Sequence, residues 1–417
     1  MDDNLEFGFQ DILEFVADAH AAESAAGAKP VPAGKREERR PDSMFQFDDE
    51  KHLPARIKVV GVGGGGGNAV STMVQAEIRG VEFIVANTDM QALERAKAPV
   101  KVQMGSRLTS GRGAGSNPEI GRNAALEDAD KIKAALAGAE MVFITAGMGG
   151  GTGTGGAPVI AQLAREMGAL AVAVVTKPFE FEGGLRKSKA EEGLAELKKC
   201  VDALIVIPNE RLVNLAEKRT SLLEAFKLAD TVLVQAVKGI SDVVMVPGYV
   251  NVDFADVKSV MSNRGRAVMG TGVASGEGRA IEAAQKAISS PLLEDGSIKG
   301  ARGVLINITG GNDLGIYEFT EATNVIKDEV DPAANIKFGA VINPVMSEEI
   351  MVTVIATGFD EEGIRDRVKR PVSLRDYRKE VDKPTKRKQE AFEFKNEVLG
   401  IDSEDLDKPT FLRRQAD

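Results

Sequence analysis

The sequence predicts an α/β protein on a parallel sheet, followed by one long helix and a second, smaller αβ region. Three observations carry that expectation. Short apolar runs alternate with helical patterns from Ile57 onward, as strands covered by crossover helices do. Two glycine-rich loops each follow such a run and lead into a helical pattern. An apolar-rich helical stretch at 221–244 separates two sets of runs.

In chain order, residues 1 to about 20 put Leu5, Phe9, Ile12, Leu13 and Val16 at helical spacing, a short amphipathic helix. The Ala-, Pro- and charge-rich stretch at 21–43 reads as a flexible linker. Residues 1–56 thus form a mostly flexible extension, within which 1–43 are either a partner-binding arm or sequence upstream of the true start. Recovery of a 5–15 peptide from the native protein would remove the second option. Strands are expected at 57–62, 81–86, 141–146, 169–176 and 203–207, making a first domain of 57–220. The helix at 221–244 is apolar around much of its surface and is expected between two layers or two domains. The region 245–360 carries strand patterns at 267–273, 303–308, 336–342 and 351–356, with helical ones at 278–288 and 317–330. Residues 361–400 are charged and Lys/Arg-rich, a linker or partly helical arm. The tail at 401–417 turns from acidic to basic around Pro409, Phe411 and Leu412.

Composition excludes several chemistries. At 417 residues the chain can bury two cores, taking roughly 100–200 residues per domain. A formal charge of -10 argues against a nucleic-acid partner, which needs clustered Lys and Arg. No apolar run reaches the roughly 20 residues of a membrane span, and Asp2 and Asp3 stand where a secretory signal carries positive charge. The single cysteine, Cys200, forms no internal disulfide and reads as a packing residue. A cytoplasmic protein is the expectation. His20 and His52 are the only histidines and both precede the first strong strand, so the folded body has no imidazole for a triad or zinc site.

The first motif, "GVGGGGGN" at 61–68, sits between a strand and a helix, where free N–H groups and a helix dipole attract an anion. Alone it also satisfies a dinucleotide fingerprint through Gly61, Gly63 and Gly66, with Glu82 about twenty residues on. The second, "GMGGGTGTGG" at 147–156, changes the balance, because a dinucleotide fold needs one such loop. Two glycine loops at one sheet edge would converge on one phosphate chain, with Thr152 and Thr154 adding hydroxyls. A third loop, "GRGAG" at 111–115, could close the cradle from the side. No G-x-x-x-x-G-K-[ST] occurs, so a triphosphate would be held by a design other than the P-loop.

"GGGTGTG" at 149–155 resembles the signature of the tubulin/FtsZ superfamily, and the rest is similar to its bacterial FtsZ branch. The resemblance runs from about Ile57 to Thr357, through "NTD" at 87–89, "TKPFEFEG" at 176–183, "IPNERL" at 207–212 and "NVDFADV" at 251–257, and returns in the tail. It implies a Rossmann-like GTPase domain, the long central helix and a smaller αβ domain. It implies GTP/GDP held at the phosphates by Gly64, Gly65, Gly66, Gly67, Asn68, Gly151, Thr152 and Gly153. Glu182 would bind the ribose, Arg186 would lie near the phosphates, Asn209 and Asp230 would read guanine, and Phe226 would pack near the base. Spacing alone makes Glu182 and Arg186 an ordinary i,i+4 ion pair.

The catalytic residues it implies are Asn251, Asp253 and Asp256, carried into the pocket of the next subunit. Spacing alone favours a different role, Asp253 as N-cap and Asp256 near N3 of a helix. Mg²⁺ would arrive on the nucleotide, held by phosphate oxygens and water, with Asp89 as an outer contact. The resemblance further implies a head-to-tail homopolymer forming the division ring at midcell. Membrane-tethering and regulatory proteins would dock on the tail through Pro409, Phe411, Leu412, Arg413 and Arg414. Two other readings stand beside this one: an NAD-dependent oxidoreductase resting on the first glycine loop, and a scaffold that has lost hydrolysis.

Overall fold

Strands β1 (Ile57–Val62), β2 (Val81–Asn87), β3 (Val100–Gln103), β4 (Met141–Gly147), β5 (Leu170–Lys177) and β6 (Ala203–Pro208) build the first half. All but β3 follow the expected apolar runs. β1, β4 and β5 are buried nearly end to end, and a strand covered on both faces needs a continuous apolar run rather than an alternating one. β3 went unpredicted because Val100 and Lys101 are exposed, leaving too little apolar sequence to read. The computed structural model describes residues 55–213, 220–245, 250, 252–262, 265–293, 297–346 and 348–359. The helix and linker expected within 1–43, the arm expected at 361–400 and the tail at 401–417 lie outside the described residues.

Helices α1 (Gly63–Gln75), α2 (Met90–Arg95), α3 (Ser106–Thr109), α4 (Pro118–Glu127), α5 (Ala129–Leu136), α6 (Thr152–Glu166), α7 (Gly184–Cys200) and α8 (Asn209–Val213) cross over between these strands. The long helix is α9 (Leu222–Met245), within a residue of expectation at each end. Beyond it come α10 (Phe254–Met261), β7 (Gly265–Ser275), α11 (Arg279–Ile288), β8 (Gly303–Gly310), α12 (Ile316–Glu329), β9 (Asn335–Ile342) and β10 (Glu349–Thr357).

The strands form one sheet in the order β3-β2-β1-β4-β5-β6-β7-β10-β8-β9. Its first six strands are all parallel, the doubly wound 3-2-1-4-5-6 arrangement. The order reverses between β1 and β4, so a crevice opens beyond their paired carboxyl ends, Val62 and Ala146. β7 continues the sheet through a short parallel pairing, Ala203 with Gly265 to Ile205 with Ala267. β10 then runs antiparallel to both β7 and β8, and β9 lies parallel to β8 at the edge.

α9 is wrapped by apolar side chains from both halves. Val232, Leu233, Ala236, Val237 and Ile240 share one cluster with Val59, Phe143 and Val172 on one side and Met269, Leu305 and Ile355 on the other. Each large aliphatic side chain buried this way contributes roughly 1.5–3 kcal/mol. At its far end Met245 abuts Gly80, just before β2, where a Cβ would strike the Met245 methyl. The helix has 24 residues, about 36 Å at 1.5 Å per residue. It therefore reaches from the carboxyl edge of the first parallel strands to their amino edge. Cys200, the last residue of α7, is buried.

Candidate functional site

Two helices start side by side at the crevice. α1 begins directly after β1 and α6 shortly after β4, and neither has a side-chain cap or an acid in its first turn. Each leaves several N–H groups without an intrahelical partner, at the positive end of its dipole. The loops that carry them pack backbone to backbone. Gly63 has φ 73°, and a Cβ there would lie 2.9 Å from Gly153 N; only glycine meets both demands. At Gly64 and Gly150, by contrast, a Cβ would meet nothing within 4 Å. Those two positions border open space beside bare backbone, as a bound anion requires.

Threonines brace these loops. Thr88 Oγ1 and Thr152 Oγ1 are 2.6 Å apart and buried, and Thr154 Oγ1 accepts from Gly149 N at 2.9 Å. The third glycine loop flanks the second: a Cβ on Gly151 would come 2.9 Å from Ala114 Cβ and from Asn117 N. That loop is tied to the end of β2 by Met90 N to Gly111 O at 3.0 Å and Gly113 N to Thr88 O at 3.3 Å. Lys189 of α7 donates to Ser116 O at 2.7 Å, closing the ring of loops. The brace through Thr88 went unread in the sequence, although it stands inside the "NTD" motif.

Asp89 of that motif lies near the loops. Its Oδ1 accepts from Gln91 N and Ala92 N and so caps α2. With no acid in the first turn of α1 or α6, the crevice suits a metal carried by the ligand's own phosphates better than one ligated by carboxylates. Glu82, the acid a dinucleotide fold would need, sits at the wrong end. It is the second residue of β2, paired with Lys58 at 2.9 Å on the amino edge of the sheet. The oxidoreductase reading loses its second support there.

Beyond β5 and β6 lie the other residues expected to line the pocket. Glu182 ends a 3-10 turn, Glu180–Glu182. Its Oε1 accepts from Phe179 N at 2.9 Å, and its Oε2 meets Arg186 Nη1 at 3.1 Å, so the i,i+4 ion pair is formed. The start of α7 also touches the second loop, since a Cβ on Gly149 would lie 2.6 Å from Arg186 O. Phe179 packs edge-on to Phe226 of α9 at 5.3 Å, which fastens the start of that helix to the carboxyl edge. Asn209 opens α8, buried, and among the described residues its Oδ1 has no hydrogen-bond partner. Burial raises the Asp230 carboxyl from 3.8 to about 7. An unsatisfied buried amide oxygen and a carboxyl short of donors suit a ligand edge that offers N–H groups.

Asp253 and Asp256 lie elsewhere. Asp253 Oδ1 accepts from Asp256 N at 2.6 Å, so the N-cap role that spacing favoured is realised at α10. Asp256 Oδ1 meets Lys337 Nζ at 2.7 Å, a contact no local pattern announced. Asn251 is outside the described residues, as are Pro409, Phe411, Leu412, Arg413 and Arg414. Val250 just before the acids pairs with Ala340 of β9. The acids follow the end of α9, which rests at the amino edge, while the glycine loops open on the carboxyl edge. Within one copy the two sets stay apart. Among the described residues no helix is long and apolar enough to cross a membrane.

Comparison with known proteins points one way. Residues 56–217 match the Tubulin/FtsZ family, GTPase domain, and residues 265–360 match the FtsZ family, C-terminal domain. The structure of a point mutant of FtsZ from M. jannaschii is 46% identical, with 73% of this chain and 92% of that one covered, at a TM-score of 0.70. An empty FtsZ dimer from M. jannaschii gives 45%, 76%, 91% and 0.70 on the same measures. A GTPgS-bound CetZ2 protofilament from Haloferax volcanii, 21% identical over 73% of this chain and 94% of that one at TM-score 0.64, shares the fold.

Proposed function

Because this chain belongs to the tubulin/FtsZ family of GTPases, we propose that its copies stack head to tail, hydrolyse GTP at each junction and form the bacterial cell-division ring. The observation that carries the reading is the separation just described. The anion cradle lies at one edge of the sheet and the acids at the other, a long helix between them. A second copy, placed with its acids over the first copy's cradle, would join the two. The M. jannaschii FtsZ dimer supports self-association. The resemblance of the tail at 406–417 to the FtsZ C-terminal peptide supports docking of membrane-tethering and regulatory partners. The protein would act in the cytoplasm, at midcell.

On this reading Gly64, Gly65, Gly66, Gly67, Asn68, Gly151, Thr152 and Gly153 hold the phosphates through backbone N–H groups. Glu182 binds the ribose, and Arg186 swings from its ion pair toward the phosphates. Asn209 and Asp230 take the guanine edge, and Phe226 lies beside the base. Mg²⁺ on the phosphates supplies charge neutralisation, with Asp89 as an outer contact. Asn251, Asp253 and Asp256 of the next copy orient and polarise a water. Its oxygen bonds to the γ-phosphorus as the bond to the β–γ bridging oxygen breaks. GDP and phosphate leave, and one proton goes to solvent. Positioning and electrostatics carry such a step, which suits a site built from residues that include no histidine.

Turnover measured against protein concentration tests this. It should stay near zero below a threshold and rise linearly above it. Asp256→Ala should bind GTP and sediment as filaments without turning over. Specific activity independent of concentration, or full turnover by D256A, would overturn the reading.

A further inference from the structure

Edge strand β9 underlies the acidic loop and the start of α10 at three levels. Ala340 N donates to Val250 O at 3.0 Å, Lys337 Nζ meets Asp256 Oδ1 at 2.7 Å, and Asn335 Nδ2 reaches Ser259 Oγ at 3.5 Å. The backbone at Asp256 is set locally, by Asp253 Oδ1 on its N–H at 2.6 Å and by the Ser259 hydroxyl on its carbonyl at 2.8 Å. Among the described residues nothing local sets its side chain. A carboxylate on two rotatable bonds samples several rotamers unless a partner selects one, and the partner here is Lys337. Neither side chain is fully exposed, at 31% for Lys337 and 39% for Asp256, so solvent screens the pair only in part.

We propose that Lys337 is a positioning residue for hydrolysis. It holds the Asp256 carboxylate in one orientation and offsets its charge as that acid approaches the triphosphate of the next copy. This rests on the assembly-coupled reading above. The second role follows from charge. Asp253 and Asp256 must be brought against a polyanion, a like-charge encounter, and an ammonium a hydrogen-bond length behind one acid weakens the repulsion. Lys337 itself touches no part of its own subunit's cradle, which lies at the far edge of the sheet.

Full-length K337M and K337R, beside D256A, test the proposal by turnover per sedimented subunit, KM, GTP affinity and thermal melting. K337M should lose about fivefold in turnover, the reach of a partly exposed ion pair, with KM, GTP affinity and melting unchanged. K337R should recover most of that loss. If K337M does not assemble, K337Q carries the same measurements with a polar, uncharged side chain of similar length. Wild-type turnover in the neutral variant, or K337R no better than K337M, overturns the role of Lys337. Full turnover by D256A would instead sink the hydrolysis reading itself, so the two failures are distinguishable.

Discussion

Asp230 is an acid held where its charge is disfavoured: burial lifts its pKa from 3.8 to about 7. The folded chain keeps a proton that the unfolded chain releases, so the residue costs stability increasingly from about pH 4 to pH 7 and by a constant amount above. A guanine edge offering two N–H donors favours the ionised form. GDP affinity should therefore fall as pH drops below 7, approaching tenfold per unit, with proton release on binding near neutrality. Calorimetry in buffers of differing ionisation enthalpy checks it. Asp230→Asn should bind more weakly and lose that part of the pH dependence not owed to the phosphate's own titration. An unchanged pH profile in D230N would refute the assignment. Sequence alone gives Asp230 as one polar position in an apolar-rich helix; its partner role came through the resemblance. Lys337 was beyond either route, because a side-chain contact between distant segments leaves no local pattern.

At the scale of elements, α11 and α12 are joined by a single buried cation. Arg279 Nε donates to Glu318 Oε1 at 2.7 Å and Nη2 to Oε2 at 3.1 Å, while Nη1 meets Asp313 Oδ2 at 2.7 Å. The guanidinium holds Glu318 and Asp313 below the usual carboxylate range, with its own pKa raised in turn. A lowered carboxyl pKa stabilises the fold above the unfolded value and is lost as pH falls through the folded one. Arg279→Met should cost on the order of 1–2 kcal/mol, between an exposed and a buried pair, since both acids left behind retain solvent. Lys199→Ala, which removes an exposed pair with Glu196 within α7, should cost under about 0.5 kcal/mol. Urea unfolding midpoints compare them, and equal losses would show that the Arg279 network is not a fastener. Elements such as β1 and β4 were legible because burial on both faces writes an unbroken apolar run, and α9 because its buried apolar positions recur at helical spacing. β3 was not, being half exposed. Nor was the antiparallel insertion of β10 between β7 and β8, since strand pairing is set by distant partners. The strand–glycine–helix units were legible because their whole logic is local.

For the whole molecule, the proposed mechanism turns on the glycine cradle and the α10 acids lying at opposite edges of one sheet. Mixing two defective chains tests it: Asp230→Ala, weak in nucleotide binding, and Asp256→Ala, lacking an acid. Each alone should be nearly inactive. In random head-to-tail filaments of equal parts, about a quarter of the junctions pair a sound cradle with sound acids, and turnover should return toward that fraction. No recovery, with both chains shown in the pellet, would mean that each copy uses its own acids. The same placement would make any such filament an arrow. One tip would offer a cradle that nothing faces, the other a set of acids with nothing to face, so there would always be one fewer working junction than copies. On the proposed mechanism the newest copy at the cradle tip would keep its triphosphate unspent until another landed on it.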